Sequence, residues 1–260
     1  MQEYKMYGGS VVLTFDPDKH IYRVNGEVVY GVTSICGVLD KPALMYWAVN
    51  KALEYVDDNM PVGMVLDEVN KSRILKEAKT AHRRISSEAA DIGTIVHDWL
   101  ETWVNSKINK IPEPSLPINA EVRRGVETAL AWFSKRDVEF ISSERKLFSR
   151  LFSYAGTLDV ECIVDGKRTV IDFKTSSGIY PEYFIQTSAY CIALTEETGE
   201  RYENMIILRV PKSGKEFAYA ESKDVEMYFD CFVGCLTNYR RIMAEKDEKY
   251  KETKIKLEAK

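Results

Sequence analysis

The chain has 260 residues, 45% of them hydrophobic and 29% charged, with a formal net charge of −4, which is enough apolar material for one large domain or a domain with an extension. That charge excludes a protein that coats nucleic acid with a generally positive surface. No apolar run approaches the roughly 18 residues of a membrane span, the start Met1-Gln2-Glu3-Tyr4-Lys5-Met6-Tyr7 carries no signal or transit pattern, and five cysteines without framework spacing suit a reducing compartment, so a soluble cytoplasmic protein is expected.

In chain order, Val11 to Phe15 and Ile21 to Tyr30 read as short strands, with Asp16-Pro17-Asp18 and Asn25-Gly26 as turns, making a small N-terminal sheet. Pro42 opens an apolar-periodic helix through about Val56, and further helical patterns cover Val65 to Lys79 and Ser86 to Val104. Lys71, Arg73, Lys76, Lys79, Arg83 and Arg84 accumulate across these helices. Such a run either tracks a phosphate backbone or forms a solvated helix face. Ile111-Pro112-Glu113-Pro114-Ser115-Leu116-Pro117 must be a loop, because closely spaced prolines cannot continue a helix. A helix from about Asn119 to Arg136 then leads to three strands ending at Lys174, the first of them Phe140 to Phe148. Pro181 precedes a helix, Asn204 to Val210 reads as a strand, and after Lys223 a long amphipathic helix becomes increasingly charged from Glu245.

The stretch richest in chemistry is Gly156-Thr157-Leu158-Asp159 followed by Val170-Ile171-Asp172-Phe173-Lys174-Thr175. Leu158, Val160, Cys162 and Val164 alternate with more polar neighbours, Thr169 to Phe173 are mostly β-branched or aromatic, and Asp165-Gly166 supplies a turn between them. Paired antiparallel strands bring Asp159 and Asp172 side by side, and the period of two puts Lys174 on the face of Asp172. Adjacent carboxylates repel unless one is protonated or a cation bridges them, and hard oxygen donors suit Mg²⁺ or Mn²⁺. The chain holds two other Asp-x-Lys triplets, Asp165-Gly166-Lys167 and Asp247-Glu248-Lys249, but these fall in a turn and a charged tail.

Gly156-Thr157-Leu158-Asp159, Asp172-Phe173-Lys174-Thr175 and Gln186-x-x-x-Tyr190, preceded by Gly93-Thr94-Ile95-Val96-His97-Asp98-Trp99-Leu100-Glu101, together resemble the PD-(D/E)XK nuclease superfamily in its RecB-like exonuclease branch. The resemblance covers roughly Ser86 to Val210, with Leu158 where the superfamily name has Pro and Asp172 where it often has Glu. It implies an α/β, restriction-endonuclease-like core of helix, three strands, helix and strand, a mixed sheet flanked by helices. Three parts are then expected: 1–110 as N-terminal strands and a helical arch carrying the His motif, 119–250 as nuclease core, and 251–260 as a charged, disordered tail.

The resemblance also implies roles. Asp159, Asp172, the Phe173 backbone carbonyl and His97 become metal ligands, the imidazole shifting preference from Mg²⁺ toward Mn²⁺. Taken apart from the motif, His97 among Ile92, Val96, Trp99 and Leu100 is a partly buried, hydrogen-bonded residue. Lys174 contacts the scissile phosphate and the attacking water, and Gln186 and Tyr190, one turn apart, border the site. Glu144 reads as a ligand to a second metal, as a group that positions water, or as a solvent-facing carboxylate. Thr175 and Ser176, with Ser177, are candidate phosphate donors alongside Lys76, Lys79, Arg83 and Arg84. Tyr180 and Tyr183 are candidates to stack on unpaired bases, as are Tyr46, Trp47, Trp99 and Trp103, whose alternative is the core. Some relatives carry an iron–sulfur cluster; here only Cys231 and Cys235 lie close together in sequence, and no cluster is expected.

The expected activity is therefore a divalent-metal-dependent DNA exonuclease acting on single-stranded or end-frayed DNA in replication, repair or recombination, in a bacterial or phage-infected cell, with a helicase or recombination protein as a potential partner and no membrane. The alternatives are a structure-specific endonuclease of the same core and a catalytically silent module that binds DNA or a helicase.

Overall fold

The computed structural model describes residues 1–210 and 217–258, and its backbone divides into Met1–Leu39 with His97–Lys260, and Asp40–Val96. In the first unit, β1 (Gln2–Met6), β2 (Val11–Asp16), β3 (Ile21–Val24) and β4 (Glu27–Gly31) form an antiparallel meander. β2 buries Val11, Leu13 and Phe15, as its alternation predicts. Asn25 and Gly26 both take positive φ, the conformation a two-residue hairpin turn needs. β1 escapes prediction because only Met6 of its five residues is buried, which leaves no clear periodic signal. The short helix α1 (Val32–Cys36) follows.

Next along this unit come the C-terminal part of α3 (Glu68–Asn109) and α4 (Ala120–Phe133). α3 is one helix where two were predicted, since Thr80-Ala81-His82-Arg83-Arg84-Ile85 contains neither Pro nor Gly to interrupt it. The Ile111 to Pro117 loop is non-helical as expected, and two tryptophans pin it. The Trp99 indole donates to the Ser115 carbonyl at 2.9 Å, and the Trp103 indole donates at 2.9 Å to Glu113, which also pairs with Lys107. Both indoles thus have structural partners.

A long bent hairpin comes next, built from β5 (Val138–Ser143), β6 (Lys146–Ser149), β7 (Tyr154–Thr157) and β8 (Val160–Val164). β5 pairs with β8 and β6 with β7, but the two pairs belong to different sheets. The strand predicted from Phe140 to Phe148 is broken at Glu144, which has φ of 50° and turns the chain from one sheet into the other. β7 also pairs in parallel with β4, so the N-terminal sheet is not small: it has six strands in the order β1-β2-β3-β4-β7-β6.

Through the turn Asp165-Gly166, with φ of 48° and 78°, β8 leads into β9 (Lys167–Lys174). β10 (Asn204–Arg209) lies parallel to β9, and β11 (Ala218–Ser222) antiparallel to β10. The result is a five-stranded mixed sheet, β11-β10-β9-β8-β5, with β9 at its centre. Where three strands were expected between α4 and the next helix, five therefore occur, shared between two sheets.

On one face of this sheet, α5 (Pro181–Thr198) and α6 (Val225–Glu258) bury Phe184, Ala189, Leu194, Phe232 and Leu236 with Val170, Met205 and Ile207. Each fully buried large side chain contributes on the order of 1.5–3 kcal/mol. The other face carries the rings of Trp103, Phe133, Phe140 and Phe173 in a connected cluster. Cys36, Cys162, Cys191 and Cys235 are buried and Cys231 is exposed. The backbone of α6 is helical to Glu258, and the last two residues of the expected tail 251–260 lie outside the described residues.

The second unit consists of α2 (Pro42–Asn59), the N-terminal part of α3 and the segment joining them. Ile74, Ala78, Ala81 and Val96 are among its buried positions on α3. Tyr55 donates to Glu77, and the Arg84 guanidinium lies 5.4 Å from the centre of the Tyr55 ring. Among the described residues, no helix is long and apolar enough to cross a membrane.

Asn119 caps α4 by accepting hydrogen bonds from the backbone N–H groups of Glu121 at 2.9 Å and Val122 at 3.1 Å. Replacing it by Ala removes both acceptors and is expected to cost about 1 kcal/mol in a denaturant titration. An unchanged midpoint contradicts this capping role.

Candidate active site

The site begins at the bend of the long hairpin. Gly156-Thr157-Leu158-Asp159 is the segment in which the chain leaves β7 and enters β8, opposite the break at Glu144. Three hydrogen bonds fasten the two bends: the Glu144 N–H and the Ser143 hydroxyl both donate to the Asp159 carbonyl at 3.0 Å, and the Leu158 N–H to the Arg145 carbonyl at 3.1 Å. Beneath them lies a buried ionic group. Glu161, 1% exposed, accepts from Arg145 at 2.7 Å, from Ser142 at 2.6 Å and from Tyr202, while Arg145 also reaches Glu197 at 3.0 Å. Removing one partner of such a group leaves a buried charge unpaired, so it holds the bend firmly.

The β8 to β9 register pairs Val160 with Ile171, which puts Asp159 and Asp172 at the next opposed positions. Asp172 is buried and shares a strand face with Val170 and Lys174, while Phe173 points to the opposite face. One Asp159 oxygen, Oδ2, accepts from the Phe173 N–H at 2.7 Å and lies 3.7 Å from His97 Nδ1. The Lys174 ammonium is 2.6 Å from the buried Asp172 Oδ2 and forms a tight ion pair with it. Burial pushes the Asp172 carboxyl up to about 6, Lys174 opposing the shift and Asp159 adding to it. Burial alone lowers Lys174, but the carboxylates of Asp172 and Asp159 outweigh it and the ammonium is raised.

Gln186 and Tyr190 meet across one turn of α5, the Gln186 amide donating to the Tyr190 hydroxyl at 2.8 Å. The phenol is buried and held neutral, its pKa pushed far up by burial and by Asp172. Its ring explains Gly156: a Cβ there falls 2.7 Å from the Tyr190 ring and 3.2 Å from Val32. Thr157 shares a 2.8 Å hydrogen bond with Tyr22 of the N-terminal sheet.

Glu144, expected in a continuous strand, sits instead at the left-handed corner. Burial and the Asp159 carboxylate raise it to about 7, against Lys146, whose ammonium is 3.6 Å from it. The Glu144 side chain is 36% exposed. Glu101, four residues after His97 on α3, was missed. It too is raised, by burial, then by Asp98, with Asp159 contributing further. Its spacing of i+4 from His97 was the available signal. Thr175, Ser176, Tyr180 and Tyr183 follow Lys174 directly, with Tyr180 40% exposed. Lys76, Lys79, Arg83 and Arg84 belong to the other unit, where all four are exposed.

Among the described residues, no three His, Cys, Asp or Glu side chains are gathered at metal-ligating spacing. Lys174 pairs with Asp172, and the Phe173 N–H donates to Asp159. The donor set still fits a hard divalent cation in kind, because the buried Asp172 carboxylate stands opposed to a second carboxylate that lies beside an imidazole.

No protein-family model matches the chain, and no curated protein matches it. Among solved structures it is similar to SSO0001, with a TM-score of 0.33 and 16% identity over 77% of this chain and 86% of that one. It is also similar to the alkaline exonuclease LHK-Exo from Laribacter hongkongensis, with a TM-score of 0.35 and 11% identity over 84% of this chain and 100% of that one. The same exonuclease in complex with dAMP gives 0.35 and 13% over 62% and 85%. Likeness at this level fixes neither a family nor a chemistry.

Gly156→Ala forces the Tyr190 ring or the strand to move and is expected to destabilise the protein by about 1–3 kcal/mol. Because the clash is with the ring, the cost of Gly156→Ala combined with Tyr190→Leu should be smaller than the sum of the two. Strict additivity in denaturant titrations contradicts the packing account.

Proposed function

We propose that this chain is a divalent-metal-dependent deoxyribonuclease of the PD-(D/E)XK, RecB-like type, hydrolysing phosphodiester bonds as an exonuclease on single-stranded DNA or DNA ends. The observation that carries the reading is the buried Asp172 carboxylate opposed to Asp159, with the Lys174 ammonium on the same strand face and the His97 imidazole 3.7 Å from Asp159. Asp159, Asp172, His97 and the Phe173 carbonyl are the groups to hold Mg²⁺ or Mn²⁺, with Glu144 as a further oxygen donor. A cation held there lowers the pKa of a bound water and draws charge from the phosphate.

The chain's own residues then have separable tasks. Lys174 lies where an ammonium can donate to a phosphate oxygen, and it stabilises the negative charge that develops as the water oxygen bonds to phosphorus and the bridging P–O bond breaks. The leaving oxygen takes up a proton as the strand separates. Tyr190, locked over Gly156, fixes the amide of Gln186 at the border of the site. Thr175 and Ser176 are positioned by sequence to donate to neighbouring phosphates. The exposed cations Lys76, Lys79, Arg83 and Arg84 supply sequence-independent attraction for the backbone, while Lys71 and Arg73 are paired with Glu68 and Glu77 on their own helix. A role in replication, repair or recombination, with a helicase or recombination protein as partner, belongs to the same reading.

The test is digestion of end-labelled linear and of covalently closed circular single-stranded DNA with Mn²⁺ or with EDTA. Mn²⁺-dependent loss of the linear substrate alone is expected, and Lys174→Ala is expected to reduce the rate by at least about 10²-fold while the protein still binds DNA. Comparable digestion of the circle turns the reading to an endonuclease. Binding without cleavage of either substrate makes the chain a silent module.

A further inference from the structure

Lys174 has a second neighbour that the proposed chemistry leaves without a task. Its ammonium lies 2.6 Å from Asp172 Oδ2, and also 5.1 Å from the ring centre of Tyr183, inside the range of roughly 6 Å for attraction between a cation and an aromatic face. Tyr183 stands in the first turn of α5, its N–H donating to the Tyr180 carbonyl at 3.1 Å. The Tyr180 ring braces it nearly edge-on, with centroids 5.6 Å apart and planes at 78°, and the Tyr180 hydroxyl is tied to Ser177 at 2.8 Å. The ring is therefore held by its own supports, independently of the lysine.

We propose that Tyr183 is a positioning residue for Lys174: its ring face keeps the ammonium over the site when the charge of Asp172 is taken up by another cation. The inference rests on the nuclease reading for its purpose but not for its geometry. A lysine side chain has four rotatable bonds and scatters among rotamers once its strong partner is lost. A second carboxylate in place of the ring could hold it, but would compete for the same cation and add to the repulsion around Asp159 and Asp172. A neutral ring does neither, and its attraction strengthens where water is scarce. This gives Tyr183 a different task from base stacking, since the ring's contact is with the ammonium. Tyr180, more exposed, stays available to a base.

The geometry is tested without metal or DNA, by NMR of the protein carrying ¹³C-labelled lysine, with the Lys174 signal assigned by its loss in Lys174→Arg. An upfield ring-current displacement of the Lys174 ε-methylene is expected in the wild type, in Tyr183→Phe and in Asp172→Asn, where the carboxylate charge is gone. It is expected to vanish in Tyr183→Leu, or in Tyr183→Met should the Leu variant not fold. In the Mn²⁺ assay, Tyr183→Leu is expected to lower kcat about five- to thirty-fold with little change in KM, and Tyr183→Phe to restore it. An undisplaced Lys174 signal in Asp172→Asn, or a Phe variant as impaired as the Leu variant, overturns the proposal. Absence of any cleavage by the wild type, with the displaced signal present, overturns the nuclease reading and leaves the lysine seat standing.

Discussion

Two carboxylates forced into opposition across β8 and β9 are the constraint around which the site is arranged. Like charges at close range repel even when partly screened, and Asp172 adds the cost of burial. The fold offsets that cost with the Lys174 ammonium beside Asp172 and the Phe173 N–H on Asp159, and the remainder raises the Asp172 carboxyl to about 6. A fold selected for stability alone gains nothing from this arrangement, since an apolar pair packs there without repulsion. Under the proposed function, a further positive charge belongs beside the pair.

Every nearby element serves to hold the two carboxylates at one place. The bend of the long hairpin delivers Asp159 to the start of β8, and the buried Glu161, Arg145 and Glu197 group prevents that bend from relaxing. Gly156 lets the Tyr190 ring pack flush against the bend, which ties α5 to it. Tyr22 fastens the N-terminal sheet to the same segment through Thr157. The six-stranded sheet is thus a wall behind the site and shares β6 and β7 with the hairpin that builds it.

How much of this could be read from residues alone depends on the range of the signal. The Asp165-Gly166 turn, the alternation after Leu158 and the β-branched run before Lys174 are local, and they give the β8 to β9 pairing and with it the opposition of Asp159 and Asp172. The i, i+4 spacing of Gln186 and Tyr190 likewise gives their contact. The kink at Glu144 was invisible, because Phe140 to Phe148 contains no Gly or Pro and the φ of 50° is imposed by pairing to two sheets. Joining of β7 to β4 is a contact between residues far apart in sequence, which periodicity does not report. Glu101 was within reach of the His97 spacing but has no meaning as a neighbour of Asp159 until the strands are in place.

The central claim is that the Asp159 and Asp172 pair is built to share a divalent cation, and calorimetric titration of the DNA-free protein with Mn²⁺ tests it most directly. The account predicts saturable binding that is lost in Asp172→Asn, a variant whose fold is checked alongside by circular dichroism because it leaves the buried Lys174 ammonium without its partner. Absence of binding to the wild type, or equal binding by Asp172→Asn, contradicts it.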